Sequence, residues 1–301
     1  IAEKKAGIDL KNWHQRRSLD EYFIPSFKEL IDNPVTQEHW YRILTFDPYG
    51  LTATTPTIAC TSAILKIPEF KDLGCNVGIE CAAKLVDVFQ WSFPWADVRE
   101  TGMINCEEIE IYSQFDYQIP MGSLAPQFRK TLDDFRNFQK PFIPRLKEGE
   151  QKVRDKLKLK EGQLLIGLSW RSSKQSFHDL RVEDLAPLKS LKDVVFLAVQ
   201  YDDCLSELDQ VRSLGLPIRY YTNVDQKDDI SSTCALLGAC DLIVSASTAV
   251  HQLAGALGVP TITFDAFPCY FNRIPWHPTI RKLELNPDKP SLLINEIISE
   301  M

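Results

Sequence analysis

Residues 245–261 read SASTAVHQLAGALGVPT. They follow the apolar run Asp241-Leu242-Ile243-Val244, so a buried strand ends where this segment begins. Ser245, Ser247 and Thr248 come first, then His251, then a helical pattern closed by Gly258 and Pro260. The spacing predicts a strand ending near Ser245 and a helix starting near Ser247 or Thr248, because Ser and Thr accept hydrogen bonds from the first helical N–H groups. Gly258 is placed as the glycine that ends a helix, with Pro260 as the stop behind it. The N–H groups of the first turn, together with the helix dipole, favour a phosphate or another anion. The small residues Ala246 and Ala249 let a ligand come close. Taken alone, the pattern equally describes a well-capped helix packed on a sheet, with His251 as a packed histidine.

The same alternation extends on both sides. Strands are predicted at 164–170, 194–199, 217–221, 242–244 and 261–264, and helices at 182–188, 205–214, 230–237 and 249–257, with Asp228 or Asp229 capping the third. A terminal helix is predicted over 290–301. Short apolar strands alternating with helices imply a parallel sheet covered on both faces. The first half is less regular. Strands are predicted at 42–46, 77–81, 97–99 and 108–111, and helices at 57–65 and 82–91. Residues 128–160 are charged, helical in pattern and broken by Pro141 and Pro144, and read as an interdomain connection. The fold class is therefore α/β, with two Rossmann-like domains facing a cleft. The divisions are a helical lead-in over 1–40, an N-terminal domain over 41–150 and a C-terminal domain over 151–301. Ligands of open α/β sheets bind at the carboxyl ends of the strands.

The 301 residues carry a formal charge of −7, which argues against a nucleic-acid backbone or an anionic membrane as the main partner. No apolar run approaches the length of a membrane span, and no signal-peptide pattern opens the chain. It begins with Ile rather than Met, which leaves room for an upstream segment. None of the eight cysteines forms CxxC or a zinc-type cluster, so reduced buried thiols in a cytoplasmic protein are expected. The G-x-G-x-x-G run of a dinucleotide-dependent dehydrogenase is absent, which sets that class aside.

Residues 247–260, with His-Gln-Leu-Ala-Gly-Ala-Leu-Gly at 251–258, resemble the donor-site motif of the ADP-heptose:lipopolysaccharide heptosyltransferase superfamily. The likeness is strongest to the heptosyltransferase-like modules that often follow tetratricopeptide repeats. Ile166 to Ser172 resembles the family's first strand and loop in the C-terminal domain, and Phe196 to Tyr201 its strand ending in Leu-Gln. Residues 229–245 resemble its next helix and strand, and 275–278 its Trp-Tyr-Pro segment. Residues 79–94 and 116–124 match in the first half, so the resemblance spans about residues 75–285. It implies a GT-B fold, a nucleotide-sugar donor and no bound metal or other cofactor.

Roles follow from the resemblance. Ser247, Thr248 and Ala249 supply the helix end for the diphosphate, and His251 belongs to the same donor motif. Arg171, Ser172 and Lys174 form the loop after the first strand, where cations stabilise the leaving group. Gln200 and Tyr201 end a strand beside the base or ribose, and Trp276 and His277 line the donor pocket or close the domain. The acceptor hydroxyl needs a base. Relatives carry Gly-Asp in the first N-terminal loop, but this chain has Gly50-Leu51-Thr52, which leaves Asp47 and Asp116 as candidates. His251 also stands one place before the usual histidine, where this chain has Gln252, a turn of about 100° on a helix. The expected activity is metal-independent transfer of a sugar from a nucleotide diphosphate to a glycan or protein, with an upstream tetratricopeptide region favouring a protein. The alternative is a degenerate module that binds a nucleotide sugar or a protein without turnover.

Overall fold

The computed structural model describes residues 42–46, 76–100, 117–120, 131–137, 140–172, 179–266 and 276–300. The expected lead-in over 1–40, the helix at 57–65 and the strand at 108–111 lie outside the described residues. So do Asp47, the Gly50-Leu51-Thr52 loop, Asp116 and Lys174.

The chain divides into two compact units, 1–134 and 135–301. The first contains β1 (Arg42–Phe46), β2 (Asn76–Cys81), β3 (Asp97–Glu100) and β4 (Tyr117–Pro120). They form one parallel sheet in the order β3-β2-β1-β4. After β2 a short 3-10 turn, Ala83–Leu85, runs into helix α1 (Val86–Ser92). Leu85, Val88, Phe89 and Phe93 are buried there, and the rings of Phe89 and Phe93 meet edge to face at 6.2 Å. Helix α2 (Leu132–Asn137) crosses the division between the units.

The second unit holds β5 (Leu164–Ser169), β6 (Val194–Ala198), β7 (Ile218–Tyr220), β8 (Leu242–Ala246), β9 (Thr261–Asp265) and β10 (Ile280–Glu284). Its helices are α3 (Lys147–Lys156), α4 (Leu205–Ser213), α5 (Ile230–Gly238), α6 (Ala249–Ala256) and α7 (Pro290–Glu300). The sheet order is β10-β9-β8-β5-β6-β7, all parallel. Counted within the unit this is 6-5-4-1-2-3, the order of a doubly wound dinucleotide-binding sheet, and the winding reverses between β5 and β8.

Alternation along the strands separates two faces. Ile166, Leu168, Trp170, Phe196, Val244, Ile262, Phe264 and Leu283 belong to one buried cluster with Leu208 and Val211 of α4 and Leu293, Ile294 and Ile297 of α7. The opposite face carries Gly167, Ser169, Ser245 and Thr263. A Cβ on Gly167 would stand 2.5 Å from Ile243 Cδ1 and 3.2 Å from Cys240 Sγ, so the chain passes close there.

Residues 135–150 fall within the second compact unit. The amides of Phe142 and Ile143 donate to the Ala256 carbonyl at 3.0 and 3.1 Å. Arg145 holds Glu150 at 2.7 Å and also donates to the Gly238 carbonyl. The stretch read as a connection is thus bolted to the ends of α5 and α6.

Among the described residues no helix is long and apolar enough to cross a membrane. Cys81 is buried, and Cys204, Cys234 and Cys240 are buried and free. Burial pushes the Cys204 thiol up to about 11 and the Cys234 thiol up to about 12.

Candidate functional site

The winding reversal places the carboxyl ends of β5 and β8 side by side, with Ser169 paired to Ser245. Both side chains are fully buried. The chain leaves β8 through Ala246 and Ser247 and enters α6 at Thr248. Thr248 is extended, at φ −129° and ψ −175°, and its Oγ1 accepts from Val250 N at 3.3 Å. This is the cap that the hydroxyl pattern predicts. Thr248 is buried, while Ser247 and Ala249 on either side are partly exposed, so the first turn reaches the surface. The start of α6 therefore presents backbone N–H groups and the positive end of a helix dipole at the switch point of the sheet.

The loop after β5 is held by β6 and α4. Gln200 is 1% exposed. Its Nε2 donates to the Arg171 carbonyl at 2.9 Å, and its Oε1 accepts from Arg171 N and Ser169 Oγ, each at 3.3 Å. The amide extends the β5–β6 ladder beyond its last strand residues. Arg171 is similarly committed. Its Nε donates to Glu207 at 2.8 and 3.0 Å, Nη1 to the Ser172 carbonyl at 3.0 Å, and Nη2 to the Asp203 carbonyl at 3.1 Å, with Asp202 3.7 Å from Nη1. The bond to Glu207 raises the guanidinium pKa. Ser172 gives its amide and its hydroxyl to the two oxygens of Asp179, at 3.0 and 3.1 Å.

The expected donor residues thus fall into two groups. Ser247, Thr248 and Ala249 stand together at the start of α6, next to the end of β5. Arg171, Ser172 and Gln200 stand across the β5–β6 ends, with side chains joined to the protein's own groups. The partners of this second group, Asp179, Asp202 and Glu207, escaped the sequence reading. An acidic residue at the start of a helix, as Glu207 is in α4, reads as a solvated residue until its partner is seen.

His251 is 3% exposed and lies in the first turn of α6. Its Nε2 is 2.9 Å from Gln252 Nε2, and Gln252 Oε1 is 3.1 Å from His277 Nε2. Burial pushes the His251 pKa down to about 4, so the ring is neutral. The one-place offset of this histidine puts both His251 and Gln252 in the interior, where they meet His277. The His277 ring also lies 6.2 Å from Phe142, and Trp276 meets Phe135 edge to face at 5.1 Å. His277 and Trp276 therefore close the domain against α6 and the 135–143 segment. Asp265, at the carboxyl end of β9, is buried as well and was not foreseen. Among the described residues no group of three His, Cys, Asp or Glu side chains is arranged to hold a metal ion.

No family model matches this chain. Protein FlbA of Caulobacter vibrioides is 29% identical over 218 residues, which are 66% of this chain and 36% of that protein. The chain thus matches little more than a third of the length of this curated relative. Among solved structures, the glycosyl transferase family 9 protein of Veillonella parvula superposes with a TM-score of 0.58 at 13% identity, over 85% of this chain and 91% of that one. E. coli ADP-heptose lps heptosyltransferase II gives 0.57 at 9% identity, over 86% and 99%. E. coli heptosyltransferase WaaC with ADP-2-deoxy-2-fluoro heptose gives 0.55 at 10% identity, over the same shares. At such identities the likeness is one of architecture: this chain has the glycosyltransferase fold of the family 9 heptosyltransferases.

Proposed function

We propose that this chain is a metal-independent glycosyltransferase that moves a sugar from a nucleotide diphosphate to a hydroxyl of a glycan or protein. The carrying observation is the start of α6, a Thr248-capped helix end opening at the reversal point between β5 and β8. A diphosphate seated there receives backbone N–H bonds and the helix dipole as its charge grows on leaving. In the transfer the acceptor oxygen bonds to the anomeric carbon, and the bond from that carbon to the diphosphate oxygen breaks. The diphosphate keeps the electron pair, and a carboxylate takes the hydroxyl proton. The nucleotide-sugar ligand in the WaaC structure supports this donor class.

Within this reading we reassign Arg171. Its guanidinium is matched by Glu207 and Asp202, so it shapes the loop, and Lys174 is left as the loop's candidate phosphate cation. For the base we favour Asp47, which follows Phe46 at the carboxyl end of β1. Asp116 precedes Tyr117 at the amino end of β4, and ligands of parallel sheets gather at carboxyl ends. We place the reaction in the cytoplasm, where nucleotide sugars and reduced thiols coexist; a tetratricopeptide region upstream, of the kind that often precedes such modules, would favour a protein acceptor.

A second reading, a degenerate module that binds without turnover, is favoured by one observation, the Gly50-Leu51-Thr52 loop that lacks an acid. Thermal shift and calorimetry with ADP, GDP, UDP and CDP and their sugar conjugates, in chelator, test the donor site first. Stabilisation by one diphosphate that Thr248→Ala weakens is the expected result. No stabilisation by any member of the panel overturns the assignment. Slow hydrolysis of the bound donor that Asp47→Asn removes then separates the enzyme from the silent module.

A further inference from the structure

A chain of three buried side chains ties α6 to the segment ahead of β10. His277, Gln252 and His251 are 3%, 2% and 3% exposed. His277 Nε2 stands 3.1 Å from Gln252 Oε1, and Gln252 Nε2 stands 2.9 Å from His251 Nε2. An amide oxygen only accepts and an amide nitrogen only donates. His277 Nε2 therefore carries a proton and donates it, whereas His251 Nε2 is bare and accepts. A neutral His251 then holds its single proton on Nδ1.

That nitrogen is buried and makes no bond of full hydrogen-bond geometry. Burial disfavours the charged form of the ring, which Thr248 and Asp265 favour and Lys282 opposes. Thr248 is the residue whose hydroxyl caps α6. The chain of bonds thus runs from His277 through Gln252 to His251, which lies in the first turn of α6 three residues after Thr248. His277 has no slack in which to drift. A Cβ on Gly255 would stand 2.7 Å from its Cγ and 2.6 Å from Ile280 Cδ1, so only glycine admits the ring this close to α6.

We propose that His277 and Gln252 are positioning residues for the anion-binding start of α6, acting through His251 in its first turn. The proposal rests on the donor-site reading above. Inorganic pyrophosphate is the probe, because it reports the helix start without contacts to a base or sugar.

Long-range 1H–15N spectra of the histidine-labelled chain read the tautomers of its five histidines, with His251→Gln and His277→Gln assigning the two signals. The expected result is an Nδ1–H tautomer for His251 and an Nε2–H tautomer for His277. Gln252→Leu should mix the His251 tautomers and weaken pyrophosphate about tenfold by calorimetry. His277→Gln keeps an N–H donor and should bind within about twofold of the wild type, whereas His277→Leu should lose about tenfold. Thermal midpoints identify any variant that fails to fold, and the two His277 variants then carry the decision between them. An Nε2–H tautomer at His251, or equal pyrophosphate affinity in wild type, His277→Gln and His277→Leu, overturns the positioning role. A wild-type chain that binds no pyrophosphate refutes the donor site itself, and the positioning role with it.

Discussion

Gln200 grips the peptide of Arg171 from both sides, donating to its carbonyl at 2.9 Å and accepting from its amide at 3.3 Å. The loop that leaves β5 is therefore set by a side chain from the end of β6. Replacing Gln200 with Leu strands a buried amide and a buried carbonyl, each costing about 1–3 kcal/mol when left unsatisfied. Gln200→Leu should lower the unfolding free energy by about 2–4 kcal/mol, read from the urea midpoint. A shift of less than about 0.5 kcal/mol would show that the grip contributes nothing.

Arg171 and Glu207 should behave as a coupled pair. The Arg171–Glu207 contact has side-chain exposures of 10% and 22% and an N–O distance of 2.8 Å. A double-mutant cycle with Arg171→Ala and Glu207→Ala should give an interaction of about 1–3 kcal/mol in stability. Glu207→Gln should leave nucleoside diphosphate affinity within about threefold of the wild type. If that variant instead binds ten times tighter, Glu207 restrains an arginine that the donor would otherwise recruit.

Thr248 caps the helix, and in the proposed reading it serves the anion as well. Thr248→Ala should cost about 1 kcal/mol of stability through the lost cap. The same substitution should weaken diphosphate binding, and Thr248→Ser should restore both. Equal affinity in all three chains would separate the cap from the ligand.

His251 predicts how stability depends on pH. Burial holds the folded imidazole at about 4, against 6.5 when exposed. Between these values the unfolded chain binds a proton that the folded chain refuses, so stability rises with pH across this window. The contribution is complete above about pH 6.5 and is lost as the pH falls towards 4, to the extent of about 3 kcal/mol. Urea midpoints at pH 7.5 and 5.0 measure it, and His251→Gln should flatten the profile. An unchanged slope in the variant would assign the dependence to other groups.

Gly258 closes α6 with φ +75°, and a Cβ there would lie 2.5 Å from Pro141 Cγ. Gly258→Ala combines left-handed backbone strain of about 1–2 kcal/mol with that clash. It should destabilise the chain by at least about 2 kcal/mol, and the loss should shrink when Pro141→Ala is added.

Much of the second unit was legible because its central strands are short apolar runs, and its helix ends carry their own chemistry. Asp229 caps α5 by accepting from Ser232 N at 2.9 Å, Thr248 caps α6, and Gly215 and Gly258 take φ +89° and +75° where helices stop. These are local effects, decided by residues two to four apart. β10 was missed because Arg281, Lys282 and Glu284 interrupt its apolar residues. Only its parallel pairing with β9 from Ile280↔Thr261 to Glu284↔Asp265 makes it a strand. β4, four residues long and ending in Pro120, was passed over for the same reason. At residues 182–188 a helix was expected, and the structure forms a 3-10 helix over Val182–Ser190 with Pro187 inside, because proline lacks the N–H that a regular α-helix needs.

The sequence by itself determined the alternation of strands and helices and the capped start of α6. Tertiary structure alone decided which partners satisfy the polar side chains around it. Arg171 meets Glu207 from 36 residues away, and Gln252 meets His277 from 25. Charge and hydrogen-bond capacity are properties of single residues, but the partner that satisfies them is chosen by packing, which no local spacing encodes.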